Sequence, residues 1–253
     1  MIPIRTADEI SRIRESGRIV AGALDLAGSI VRPGVTTAEI EREIAAYVRD
    51  HGATPEFEGY RGYPAAICAS VNEEVVHGIP GKRTLREGDI VGIDVGVRKG
   101  GYVADGARTF PIGGVTEAAR RLLSVTEDAL RAGLSMVRRG ARLTDVSHGV
   151  QVVVERAGFS VVRDLAGHGV GTALHEEPEI PNFGDPGRGP VLETGMVLAI
   201  EPMVNEGGPA VRTLSDGWTV VTADRTLSAH FEHTVAVGSD GPDILTVAAG
   251  TGR

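Results

Sequence analysis

The sequence predicts an α+β fold: a curved, mostly antiparallel sheet backed by two pairs of helices, built as one domain from two similar halves. Two observations carry the prediction. The chain repeats itself once at a nearly constant offset, and each copy runs as two amphipathic helical segments followed by strand-like runs. Residues 23–53 align with residues 129–159 at an offset of 106, where Ala23, Leu24, Ser29, Val31, Arg32, Gly34 and Gly52 meet identical residues. Residues 85–97 then echo residues 192–204 at an offset of 107, which puts Asp94 opposite Glu201. The halves divide near residue 115, at about 1–115 and 116–253, and no linker-like stretch separates them.

The elements follow in order. Thr6 and Glu9 form a capping-box pattern ahead of a helix whose Ile10, Ile13, Val20 and Leu24 fall on one stripe. It is expected to stop at Arg32-Pro33-Gly34, because proline lacks a donor and biases its predecessor away from helical angles. Thr36 and Glu39 repeat the cap for a second helix, with Ile40, Ile44 and Val48 on one face until Gly52. The second half predicts a helix over about 117–137, a break at Gly140, and another helix over about 145–156. Strand-like runs follow each pair, at 65–71, 89–97 and 102–110, then at 196–204, 218–223 and 229–237.

Composition narrows the function classes. With 253 residues, 42% apolar and 24% charged, the chain has ample material for a core. A net charge of −8 argues against a partner held by phosphate attraction, so no nucleic acid is expected. No run of apolar residues approaches a membrane span or a signal peptide, so no membrane is expected and the cytoplasm is the predicted compartment. The single cysteine, Cys68, cannot form an intramolecular disulfide and reads as a small buried hydrophobe rather than a nucleophile.

The chemistry lies in the strands. Residues 93–110 read as a hairpin turning at Lys99-Gly100, which pairs 94 with 105 and sets Asp94 and Asp105 face to face, with Cβ atoms about 5 Å apart. Two carboxylates so placed repel, and a divalent cation removes the penalty. The alternatives are two solvated aspartates on an exposed strand, or a bulge that shifts the register. Glu201 sits in the apolar run MVLAIEPMV and Glu232 in HFEHTVAVG, while His168 is flanked by glycines that permit close backbone approach. Four carboxylates balance two divalent cations, whereas one cation would leave surplus buried negative charge.

In this order, GIDVGV with YVADGARTF, GHGVGTALHEEP, LAIEPM and HFEHT resemble the type I methionine aminopeptidases, subfamily A of peptidase family M24, with the pita-bread fold. The resemblance covers nearly the whole chain. It implies a dinuclear-metal hydrolase that removes the initiator methionine from nascent proteins with a small second residue. It also implies that Asp94, Asp105, His168, Glu201 and Glu232 are the ligands, with Asp105 and Glu232 bridging. The cofactor would be two divalent cations, and these donors accept cobalt, manganese, iron, nickel or zinc. Glu201 would shuttle the proton from nucleophile to leaving amine, His175 would donate to the oxyanion, and His77 would contact the scissile amide.

Tyr60, Tyr63, Cys68 and Trp218 match positions that line the family's methionine pocket. Phe57 stands where a cysteine is common, Leu174 where a phenylalanine usually precedes the HEEP histidine, and Val76 where a cysteine often precedes His77. The implied partner is the N-terminal peptide of a nascent polypeptide, with the ribosome as a further candidate, and the implied state is a monomer. His51, His148, His230 and His233 read as packed or surface imidazoles, and strand alternation would put the last two on opposite faces, where they could not share an ion.

Two rival readings share the fold. An X-Pro dipeptidase or aminopeptidase P-like enzyme has the same ligands, but such relatives usually carry an extra N-terminal domain, and residues 59–80 look like the methionine branch. A non-catalytic binding module typically loses ligands, and this chain keeps all five. The absence of a long insertion between HEEP and Glu201 disfavours the type II branch.

Overall fold

The computed structural model describes residues 1–248. The first half opens with α1 (Ala7–Ile30) and α2 (Thr37–Asp50), followed by β1 (Thr54–Pro55), β2 (Cys68–Val71), β3 (Glu74–Val76), β4 (Ile90–Lys99) and β5 (Tyr102–Pro111). The second opens with α3 (Glu117–Ser135) and α4 (Leu143–Arg156), then β6 (Ser160–Val161), β7 (Ala166–Gly169), β8 (Glu176–Pro181), β9 (Val197–Ile200) and β10 (Met203–Asn205). It closes with β11 (Val211–Thr213), β12 (Val220–Thr222), β13 (Ser228–His230), β14 (His233–Val237) and β15 (Pro242–Ile244). All pairings between these strands are antiparallel. They form four short sheets, the largest in the order β15-β14-β9-β7-β8.

Both predicted capping boxes form: each threonine side chain accepts from the glutamate backbone N–H, and each glutamate carboxylate accepts from the threonine backbone N–H. Ile13, Val20 and Leu24 of α1 and Ile40, Ile44 and Val48 of α2 are buried against Val91, Ile93 and Val95 of β4 in one apolar cluster. Leu122 and Leu130 of α3 and Val146 and Val150 of α4 cover Leu198, Ile200 and Val235 in another. The two are stitched together through β5, where Asp105 N donates to Thr234 Oγ1 (2.9 Å) and Thr234 Oγ1 donates to the Asp105 carbonyl (2.8 Å). Glu232 N donates to the Ala107 carbonyl at 2.9 Å. Among the described residues no helix is long and apolar enough to cross a membrane.

The sheets differ from expectation in three places. The β4–β5 hairpin turns at Gly100-Gly101, not Lys99-Gly100, so Lys99 pairs with Tyr102, Gly96 with Asp105 and Asp94 with Ala107. Both turn glycines have positive φ, 56° and 86°, which the tight primed turn demands and lysine resists. The register is thus offset by two residues. An even offset leaves every side chain on its own face, so Asp94 and Asp105 still share a face as diagonal neighbours.

The runs 196–204 and 229–237 are also not continuous strands. Pro202 has no N–H to give the ladder, so β9 ends at Ile200 and the chain re-pairs as β10 in another sheet. Phe231 and Glu232 interrupt the partner run at the same level, with Phe231 N reaching the Pro202 carbonyl at 3.4 Å. The first strand run is shorter than expected, beginning at Cys68 rather than residue 65.

Candidate metal centre

The two breaks create the site. A residue inside a continuous strand has half its surroundings fixed by the ladder, whereas Glu201 and Glu232 occupy the gaps where strands change partners. Asp94 on β4 and Asp105 on β5 reach the same space, and His168 enters from β7, where its Cα partner is Ala199 of β9. The close approach depends on glycine: a Cβ on Gly167 would stand 2.4 Å from the Ala199 carbonyl oxygen.

All eleven residues predicted for the site line one cavity of about 140 Å³, and Phe57, Arg61 and Leu174 complete its wall. His168 Nδ1 faces the Gly169 carbonyl at 2.9 Å, which assigns the proton to that nitrogen and turns Nε2 toward Glu201 Oε1, 3.4 Å away. One ligand atom each from Asp105, His168 and Glu232 falls within 4.8 Å of the others, and so does one each from Glu201, His230 and Glu232.

Electrostatics shows what this arrangement costs alone. Burial, then the charges of Asp105 and Glu201, drives the Asp94 carboxyl well above the usual carboxylate range. Glu232 is raised by burial and by Asp105, Glu201 and Asp94, and Glu201 by burial and Asp105. Asp105 is pushed up to about 7 by burial. Of the five buried side-chain polar atoms without a hydrogen-bond partner among the described residues, three lie here: Asp94 Oδ1, Glu232 Oε1 and His230 Nε2. Clustered carboxylates and imidazole with orphaned buried atoms fit divalent cations, which neutralise the charge and occupy the lone pairs.

Above the carboxylates lie the other two predicted histidines. His175 packs its ring 4.3 Å from that of His168, and its Nδ1 is 2.7 Å from Tyr60 Oη. Burial, with the neighbouring His168, Arg61 and His77, holds His175 down to about 3, so its ring is neutral. His77 is lowered by burial and sits at φ 58°, a left-handed backbone that costs a non-glycine residue about 1 kcal/mol or more. The apolar wall is tightly interlocked. Tyr63 stands edge-on to Trp218 at 5.1 Å and to Phe57 at 6.5 Å.

A model of metallopeptidase family M24 matches residues 11–239. The chain belongs to that family. As a member of metallopeptidase family M24 it is a divalent-metal-binding protein, in keeping with the donor set above. It is 52% identical to a methionine aminopeptidase of Clostridium perfringens over 98% of this chain and 99% of the relative. It superposes on a methionine aminopeptidase from Thermotoga maritima with a TM-score of 0.96 at 46% identity, covering 98% of this chain and 100% of the other. A prolidase from Pyrococcus furiosus, 22% identical, shares the fold with a TM-score of 0.78 over 96% of this chain and 65% of its own.

Two residues at this M24 site escaped the sequence reading. Arg61 lines the cavity from a three-residue turn, and no spacing signal marks it. His230, read as an ordinary imidazole, is 4% exposed, with Nε2 3.6 Å from Glu201 Oε2. Alternation bore only on whether His230 and His233 could share an ion, and these two do lie apart. The signal that would have found His230 is Pro202, since a proline breaking one strand lets its neighbour kink beside it. His233 stays apart, with Nδ1 2.8 Å from Thr246 Oγ1, while His51 is exposed and His148 half-buried.

Proposed function

We propose that the chain is a methionyl aminopeptidase, releasing N-terminal methionine from peptides whose second residue is small. The observation that carries this reading is the convergence of Asp94, Asp105, His168, Glu201 and Glu232 beside an aromatic pocket, in a chain matching a relative of that name over 98% of its residues. These five residues are the proposed holders of two divalent cations, which when bound supply Lewis acidity that activates a water and polarises the scissile carbonyl.

The chain's own groups do the rest. Glu201, a carboxylate lining the cavity, is suited to take a proton from the nucleophile and deliver it to the leaving amine. Tyr60 Oη donates to His175 Nδ1, which leaves the neutral ring with its proton on Nε2, the tautomer that donates to a developing oxyanion. His77, which lines the same cavity, is assigned to the scissile amide. Tyr60, Tyr63, Cys68 and Trp218 form the proposed side-chain pocket, where thioether sulfur gains about 0.3–1.5 kcal/mol against ring edges. The proposed setting is the cytoplasm, on nascent chains, with a monomer as the working unit.

The deciding experiment is hydrolysis of Met-Ala-Ser by the chelated chain titrated in turn with cobalt, manganese, iron, nickel and zinc, beside an Ala-Pro peptide. Methionine release that appears only with cation supports the reading. Preferential cleavage of the Ala-Pro bond, or release unaffected by chelation, contradicts it.

A further inference from the structure

His230 closes β13 in a position it cannot leave. Its backbone N donates to Thr109 Oγ1 at 2.9 Å, and that hydroxyl donates back to the His230 carbonyl at 2.8 Å. The reciprocal pair anchors the residue to β5, and the ring is directed into the cluster of carboxylates. There Nε2 is 3.6 Å from Glu201 Oε2 and 4.0 Å from Glu232 Oε2, with no hydrogen-bond partner. Both separations are too long for a hydrogen bond. Leaving a buried nitrogen in that state is destabilising, and neither oxygen has closed the gap.

A shared cation accounts for the spacing. Two donors bound to one divalent ion at about 2.1 Å, with a near-tetrahedral angle, stand about 3.4 Å apart. The 3.4 Å between His168 Nε2 and Glu201 Oε1 matches that edge, and the 3.6 Å between His230 Nε2 and Glu201 Oε2 falls close to it. Glu201 therefore offers one oxygen to each imidazole. Glu232 belongs to both groups of ligand atoms, the one containing His168 and the one containing His230.

Resting on the dinuclear reading above, we propose that His230 Nε2 is a sixth protein donor, ligating the cation held by Glu201 and Glu232. The centre then carries two imidazoles with four carboxylates. The added nitrogen favours cobalt, nickel, zinc or iron over the oxygen-seeking magnesium and manganese.

The test reads coordination rather than turnover. The chelated chain is loaded with cobalt(II), and proton NMR counts exchangeable ring N–H signals shifted far downfield by the paramagnet. Two such signals are expected, one lost in His168→Gln and the other in His230→Gln. Calorimetric titration of His230→Gln with cobalt should show one uptake step weakened roughly tenfold or more. A single shifted signal in the unmutated chain, lost in His168→Gln, overturns the assignment, and this arm stands even if the His230→Gln variant fails to fold. Unchanged cobalt affinity in a folded His230→Gln overturns it too. Methionine release with only one imidazole signal would sink the His230 assignment and leave the aminopeptidase reading intact; two signals without methionine release would do the reverse.

Discussion

Gly167→Ala should damage the centre without touching a ligand. A Cβ at this position would lie 2.4 Å from the Ala199 carbonyl oxygen and 3.4 Å from Glu201 Cγ. The first obstacle is backbone of β9, which cannot swing aside as a side chain would. Relief to an ordinary contact of about 3.4 Å requires β7 and β9 to part by roughly 1 Å at the point where His168 pairs with Ala199. Overpacking of this kind costs about 1–3 kcal/mol. In a chain of this size each kcal/mol moves Tm by about 2–4 °C, so the melting point should fall by about 2–12 °C. The same parting separates His168 from Glu201, now 3.4 Å apart, and should weaken cation binding about 10- to 100-fold. Scanning calorimetry and calorimetric metal titration read the two effects. Gly81→Ala is the control, because its Cβ would meet nothing nearer than 4.0 Å. A Gly167→Ala chain that melts within about 1 °C of the unmutated one and binds metal equally well would show that the β7–β9 contact does not set the ligand spacing.

Other expectations follow from the same geometry. His175→Ala should lower kcat by about 100-fold or more while leaving metal content unchanged by elemental analysis, because the residue is assigned to the transition state; lost metal would reassign it as a ligand. Asp105→Asn should lower metal occupancy and activity together. In the chelated state it should also gain stability over the unmutated chain as pH rises from about 4 to about 7. Burial raises the Asp105 pKa to about 7, so its contribution to folding is full below the unfolded value of about 3.9 and is lost as pH climbs through the folded one. The difference should grow steadily across that window, and a pH-independent difference would count against it. Finally, Met1 should persist on the purified protein. Ile2 is β-branched and packs against the second apolar cluster, whereas Ile2→Ala should lose Met1 if the segment is accessible, as intact-mass spectrometry will show. Clean loss of Met1 from the unmutated chain would contradict a narrow cleft for the second residue.

How much of this was legible in the sequence depends on the range of the signal. Thr6 with Glu9, and Thr36 with Glu39, are local cues, and both capping boxes form as read. The motif residues Asp94, Asp105, His168, Glu201 and Glu232 all reach one cavity. The hairpin turn was misplaced because Lys99-Gly100 and Gly100-Gly101 both contain glycine, and only the second gives positive φ to two glycines. The face of Asp94 survived because the offset was even. What could not be read was the switching of strand partners at Pro202 and Phe231, which depends on tertiary pairing. His230 belongs to the unread part, because nothing local to it tells a packed imidazole from one whose Nε2 faces carboxylates at that break. Arg61 owes its place to a left-handed turn that no periodicity encodes.

Everything proposed for the chemistry depends on five residues, drawn from strands and from the gaps between them, holding two cations in one cavity. Crystals of the chain grown with cobalt, measured above and below its absorption edge, show the ions themselves. Two anomalous peaks about 3.5 Å apart are expected among Asp94, Asp105, His168, Glu201 and Glu232. No peak at this cluster, or Asp94 and Asp105 turned to opposite faces of the hairpin, would contradict a dinuclear centre.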